Sequence, residues 1–170
     1  MRNKKINSLT GKVLKIDLTK SQIKIEEFDE KIYRHFLGGR GLNQFLLYKY
    51  LEPEISPLDP ENILLFGSGL FVGTGVPGAV RLSVDTKNYF SNGIGSANVG
   101  GNFARELKLA GFGTVILKGK AREPVYISIH DDKVRIKKCE DLWGKTVSET
   151  TELIQDSQNK RQMLHSILLI

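Results

Sequence analysis

Apolar and polar residues alternate over 12–18, KVLKIDL: Leu14, Ile16 and Leu18 face one way, Lys15 and Asp17 the other. The same period of two returns over 22–28, QIKIEEF, and Thr19-Lys20-Ser21 between the runs reads as a hairpin turn. The period then lengthens. Asp29 is placed to cap a short helix through Phe36 and Leu37, which Gly38-Gly39 ends, and Leu42, Phe45, Leu46 and Tyr50 give helical spacing to a second helix at about Leu42 to Leu51. SPLDPEN (Ser56 to Asn62) is a loop punctuated by proline. A strand is predicted from Ile63 to Gly67, a glycine loop over 67–79, and an alternating strand over 80–87 with Val80, Leu82 and Val84 inward and Arg81, Ser83 and Asp85 on the opposite face. Asn102 to Ala110 reads as a helix stopped by Gly111, and strands are predicted at 113–119, 124–130 and 133–139. Thr146-Val147-Ser148-Glu149 forms a capping box opening a helix to about Gln155, and 163–170, MLHSILLI, reads as a last strand. Strands come mainly as hairpins with helices between groups of them, so the class is α+β with mixed or antiparallel sheets, and the order of elements suggests an approximate internal duplication.

Composition sharpens this picture in one place. Twelve of the seventeen glycines fall between Gly67 and Gly119, with Arg81, Lys87, Asn98, Arg105 and Lys108 set among them. Glycine at that density costs backbone entropy, and its usual reasons are tight turns or a backbone that must approach a ligand closely. Basic and amide side chains between such glycines suit an anionic, phosphate-bearing ligand. The net charge of +6 comes from lysines spread along the chain, without a basic helical stripe, so it fits solubility and anion attraction and not nucleic-acid binding. The one cysteine, Cys139, excludes a disulfide framework and a self-contained cysteine metal site, and fits a reducing, cytoplasmic setting. The N-terminus has no apolar signal-peptide core, and runs such as Ile63-Leu64-Leu65-Phe66 are too short to span a bilayer, so no membrane partner is expected.

Several motifs lose their appeal in context. Gly73-Thr74-Gly75-Val76-Pro77-Gly78 matches G-x-G-x-x-G, but Pro77 and a β-patterned run follow where a dinucleotide site needs a helix. Gly144-Lys145-Thr146 mimics the end of a P-loop, yet Cys139 stands where its first glycine belongs. His35, His130 and His165 lie on separate elements with no metal-ligand spacing, and Glu61 and Glu106 are explained by capping as well as by chemistry. Two segments keep theirs. Gly38-Gly39-Arg40-Gly41 places bare backbone and a guanidinium at the start of the second helix, though a tight helix–helix turn explains it equally. Asn98-Val99-Gly100-Gly101 has the same logic before the next helix, and Arg81 and Lys87 are expected to converge on it.

Seven segments together carry a resemblance: GKVLKIDLT (11–19), FLGGRGL (36–42), PLDPEN (57–62), GLFVGTGVPGAVR (69–81), GIGSANVGGNFARELKLAGF (93–112), ILKGKAREPVY (116–126) and DLWGKTVSETTE (141–152). In this order and spacing they resemble the N-terminal domain of the tungsten-containing aldehyde ferredoxin oxidoreductases. The resemblance implies an α+β base with duplicated sheets on which a bis-pyranopterin cofactor lies. It implies oxidation of aldehydes or related oxo substrates to carboxylic acids. Two electrons would pass from tungsten (or molybdenum), held by two pterin dithiolenes, to a [4Fe–4S] cluster and then to ferredoxin.

Residue by residue, the pterin-contacting arginine falls on Arg81 and the asparagine on Asn98, whose backbone carbonyl would help hold a magnesium ion between the pterin phosphates. Gly100 and Gly101 follow it, and Lys87 and Arg40 complete the expected cofactor set. Leu70 stands where the family often has proline, and Asn88-Tyr89 where it often has Ser-Pro. The family's cluster-binding cysteines lie beyond the position of Ile170. One cysteine cannot ligate such a cluster, so this chain is expected to be a fragment, truncated product or split subunit, inactive without C-terminal domains or a complementary subunit, and prone to self-association. The rival readings are a cofactor-free remnant or interaction module, and nucleotide binding at the Gly73 loop.

Overall fold

The structure is a computed structural model and describes residues 11–157 and 166–169. β1 (Lys12–Asp17) and β2 (Gln22–Glu27) form the expected hairpin, with Leu14 opposite Ile25 and Ile16 opposite Ile23. α1 (Glu30–Phe36) is capped by the Asp29 carboxylate, which accepts the Lys31 N–H at 2.9 Å, and it ends on Leu37 in the left-handed region. α2 spans Gly39–Tyr50 and so begins earlier than the apolar spacing implied. The glycine pair therefore opens the second helix, with φ of 74° at Gly38 and 52° at Gly39.

β3 (Ile63–Ser68), β4 (Leu82–Lys87), β5 (Ile94–Val99) and β6 (Thr114–Lys118) complete a six-stranded sheet in the order β2-β1-β6-β3-β4-β5. Only the β1–β6 pair is parallel. β7 (Val125–His130), β8 (Lys133–Lys138) and β9 (Ser166–Leu169) form a second sheet in the order β8-β7-β9. α3 (Phe103–Leu109) precedes β6, a short 3₁₀ turn covers Glu140–Leu142, and α4 (Val147–Ser157) follows its capping box. The predicted last strand is found as β9; residues 163–165 and Ile170 lie outside the described residues, as does His165.

Alternation along each central strand feeds two cores. Val13, Ile63, Leu65 and Ile116 meet Tyr33 of α1 and Leu42, Leu46 and Leu47 of α2. Leu14, Ile16, Phe66, Val115 and Leu117 meet Leu107 of α3 and Ile127 and Ile129 of the small sheet. Each such side chain contributes about 1.5–3 kcal/mol of burial. The result is three layers: α1 and α2, the six-stranded sheet, then α3 with the small sheet.

Strand β5 is absent from the sequence reading. Its residues, IGSANV, are poor in β-formers, and most of them are exposed at the sheet edge. What makes them a strand is pairing: the register with β4 is unbroken from Lys87↔Ile94 to Leu82↔Val99. The hairpin turn is held by Asn88, whose Oδ1 accepts the N–H groups of Phe90 (2.8 Å) and Ser91 (3.0 Å).

Candidate functional site

The ends of β3 and β5 and the starts of β4 and β6 lie at one end of the large sheet, as their antiparallel registers require. The glycine-rich loop, 69–81, leaves from β3 there and returns to β4. Val72 plugs it into the core at 2% exposure, and successive turns shape it: Val72 N–H to Gly69, Thr74 N–H to Phe71, Ala79 N–H to Val76. The start of α2 docks against the loop's root through a Gly38–Gly69 bridge. A Cβ on Gly38 would lie 2.9 Å from the Ser68 carbonyl oxygen, so only glycine allows this approach.

This geometry gathers Arg40, Arg81, Asn98, Gly100 and Gly101 at one end of the sheet, all exposed. Arg81 immediately precedes β4. Neither guanidinium makes a hydrogen bond or ion pair with another described residue. No side-chain hydrogen bond caps α2 at Gly38, and Arg40 stands exposed in its first turn. The N–H of Asn88 bonds the Gly93 carbonyl at 2.8 Å, and bonded and non-bonded pairs alternate along an antiparallel ladder. Counting from that bond, Val84↔Ala97 and Leu82↔Val99 are bonded pairs and Ser83↔Asn98 is not. The backbone carbonyl of Asn98 therefore points out of the open sheet edge.

Lys87 does not join this group. Four residues along β4 from Ser83, the partner of Asn98, it lies roughly 13 Å away at strand rise. Its ammonium is buried on the carbonyls of Pro53 and Ile55, the latter at 2.7 Å. The expected convergence of Lys87 on Asn98 is corrected accordingly: in this structure Lys87 ties the loop after α2 to β4.

The residues that remain fit a phosphate-bearing cofactor with a hard cation. The test is Gly100. Gly75, Gly78 and Gly101 have positive φ, which accounts for glycine. Gly100 does not, and a Cβ there would meet nothing within 4 Å. The described chain supplies no reason for bare backbone at that point, whereas close approach of an outside group does. Two guanidinium groups offer forked donors to phosphate oxygens, and an outward carbonyl offers a hard oxygen to magnesium.

Lys108 was only one basic residue of the glycine-rich stretch in sequence. In the structure it is buried, and its Nζ donates to the Leu70 carbonyl at 2.7 Å. Burial pushes its pKa down to about 8. The signal was present: Ala104, Leu107 and Lys108 make the buried stripe of α3, and a lysine in an apolar stripe needs a partner. Beneath the site lies a second polar group. Asn43 of α2 donates from Nδ2 to Asp85 Oδ2 (2.7 Å) and to the Ser83 carbonyl (3.2 Å), and Ser83 Oγ donates to the same carboxylate oxygen (2.8 Å). All three residues are buried, and this network fastens the start of α2 to β4.

Elsewhere, a groove of about 280 Å³ beside Lys15, Tyr50 and Lys118 opens at the opposite end of the sheet. Its lysines already have partners, Lys15 and Lys24 on Glu26 and Lys118 on Glu61. Among the described residues no group of three or more His, Cys, Asp or Glu side chains is placed to hold a metal, and no helix is long and apolar enough to cross a membrane.

The family described as "Aldehyde ferredoxin oxidoreductase, N-terminal domain" matches residues 13–168. The chain belongs to this family. It is 41% identical over 145 residues to the tungsten-containing aldehyde ferredoxin oxidoreductase of Pyrococcus furiosus, covering 85% of this chain and 24% of that protein. It is 38% identical over 137 residues to the aliphatic sulfonate oxidoreductase, WOR-like subunit, of the same organism, covering 79% of this chain and 22% of the relative. Among solved structures it matches the active site complex BamBC of benzoyl coenzyme A reductase in complex with 1,5 dienoyl-CoA, at a TM-score of 0.87 and 38% identity, over 92% of this chain and 24% of that one. The chain thus spans about a quarter of the length of these relatives. The α+β architecture of this N-terminal domain is the one the sequence patterns predicted.

Proposed function

We propose that this chain is the tungstopterin-binding base of an aldehyde ferredoxin oxidoreductase, and that the sheet end carrying the glycine loop holds the phosphate side of the cofactor. Arg81 and Arg40 donate to phosphate oxygens. Gly100 and Gly101 let the cofactor approach the backbone, and the Asn98 carbonyl serves as a magnesium ligand. In this reading the start of α2 lies on the same side as Arg40 and adds to its attraction for the anion. When bound, the tungsten (or molybdenum) bis-pyranopterin supplies two-electron chemistry for oxidising an aldehyde to a carboxylic acid. The chain's own residues bind and orient, and none takes part in the chemistry.

A [4Fe–4S] cluster and the ferredoxin that accepts its electrons belong, in this reading, to protein beyond these residues, because a lone cysteine cannot ligate the cluster. A buried free thiol fits a reducing, cytoplasmic setting.

The observation that supports this reading most is the outward Asn98 carbonyl and bare Gly100 beside two unpaired guanidinium groups. The test is a tungsten and pterin assay on the protein as its host makes it. Both are expected in near-stoichiometric amounts with respect to polypeptide. Protein free of both would favour a remnant or interaction module that keeps the fold alone.

A further inference from the structure

We propose that Lys108 is a positioning residue: from inside the core, its ammonium holds the Leu70 carbonyl and so sets the glycine-rich loop, and Arg81 at its end, in the conformation that receives an anion. The proposal rests on the reading of this sheet end as the phosphate site, and it adds a residue that never touches the ligand.

The geometry is one-sided. α3 presents Ala104, Leu107 and Lys108 to the core, and Ala104 and Leu107 pack there as apolar side chains do. A leucine or methionine at 108 would satisfy that stripe without desolvating a charge. What the lysine adds is a donor reaching across to the loop, with the Leu70 oxygen 2.7 Å from its nitrogen. A neighbouring tie fixes the loop's root, where Ser68 Oγ donates to the Ala104 carbonyl at 3.0 Å. The loop's own bonds are short-range, bridging two or three residues, as in Val72 to Gly69, Ala79 to Val76 and Val80 to Gly78. Such bonds shape local turns but do not fix the loop against the body of the domain. Together with the buried Val72 side chain, Lys108 does.

The test uses the full chain with Lys108→Met and Lys108→Arg. Amide hydrogen exchange is read at Val72, Thr74 and Ala79, with strands β3 and β6 as internal controls, and magnesium pyrophosphate binding is read by calorimetry. In Lys108→Met the three loop amides should exchange about tenfold faster while the control strands hold, and pyrophosphate should bind about tenfold more weakly. Lys108→Arg should recover part of both. Loop exchange and affinity equal to wild type in Lys108→Met would overturn the proposal. So would an equal rise in exchange throughout the domain, the mark of a merely structural residue. If Lys108→Met does not fold, Lys108→Gln, which keeps a donor, carries the same comparison. Faster loop exchange in a chain whose wild type ignores pyrophosphate supports the anchor and sinks the phosphate reading, so the two failures are distinguishable.

Discussion

Gly67 shows how a single residue can mislead when read alone. In sequence it opens the glycine-rich stretch and looks like part of the ligand loop. In the structure it lies within β3, and a Cβ there would fall 2.3 Å from Asn43 Oδ1. It is glycine because the Asn43 amide occupies its side-chain space on the way to Asp85. Gly67→Ala should therefore destabilise the fold by about 1–3 kcal/mol, measured as a lower urea midpoint at unchanged slope. Asn43→Ala should also destabilise, since it leaves the buried Asp85 carboxylate with one donor fewer. The double variant should cost less than the sum, because the clash and the amide are one contact.

Two titrating residues make predictions at this scale. Burial alone would raise the Glu26 pKa, but hydrogen bonds from Lys15 and Lys24, the Lys15 charge and the Tyr50 hydroxyl outweigh it and hold it at about 2. A depressed carboxylate stabilises the fold above its ordinary pKa of 4.5 and loses that contribution as pH falls towards 2. Glu26→Gln should flatten this part of an acid titration followed by circular dichroism. Lys108 shifts in the same sense, but its cause is burial of the ammonium. Its native pKa of about 8 lies below the ordinary 10.5, so between those values the unfolded chain binds more protons. Stability should rise with pH across that window, and Lys108→Met should remove the rise.

At the scale of elements, legibility followed local signals. The β1–β2 hairpin, α1 with its Asp29 cap and α4 with its capping box were readable because each announces itself within a few residues. The box forms as drawn: the Thr146 N–H donates to Glu149 Oε2 at 2.8 Å, and the Glu149 N–H to Thr146 Oγ1 at 3.3 Å. Strand β5 was not readable, since Gly95, Ser96 and Asn98 have low strand propensity and only pairing with β4 makes them extended. Missing β5 hid the outward carbonyl of Asn98, which follows from ladder alternation. The same gap allowed Lys87 to be placed near it, when strand length sets the two apart. Arg81, Gly100 and Arg40 stand out in sequence because glycine density and helix starts mark them locally. Lys108 was passed over because a lysine reads as surface until the helix stripe is drawn.

β9 carries its own expectation. It pairs with β7 on one side, and its other edge has no partner strand among the described residues. An apolar edge strand invites pairing with another copy. The chain should self-associate at high micromolar concentration in light scattering, and Leu168→Lys or Leu169→Lys should reduce the association. A monomer under those conditions would mean that this edge does not mediate contact between copies.

For the whole molecule, three layers leave one sheet end rich in donors that have no partner among the described residues, while the lysines of the groove at the opposite end are already paired. The proposed role as a base for an anionic cofactor rests on that polarity more than on any one motif. The measurement that tests this most directly is tungsten and pterin per polypeptide in Arg81→Leu of the complete enzyme, against wild type. Arg81 is exposed at the mouth of β4 and makes no hydrogen bond or ion pair with another described residue, so the variant should keep wild-type circular dichroism and melting temperature. A charge-assisted hydrogen bond to phosphate contributes about 1.5–3 kcal/mol, so cofactor affinity should fall roughly ten- to hundredfold, lowering both metal and pterin where loading is not saturated. Full tungsten and full pterin in a well-folded Arg81→Leu enzyme, dialysed to limiting cofactor, would contradict the placement of the phosphate site at this end of the sheet.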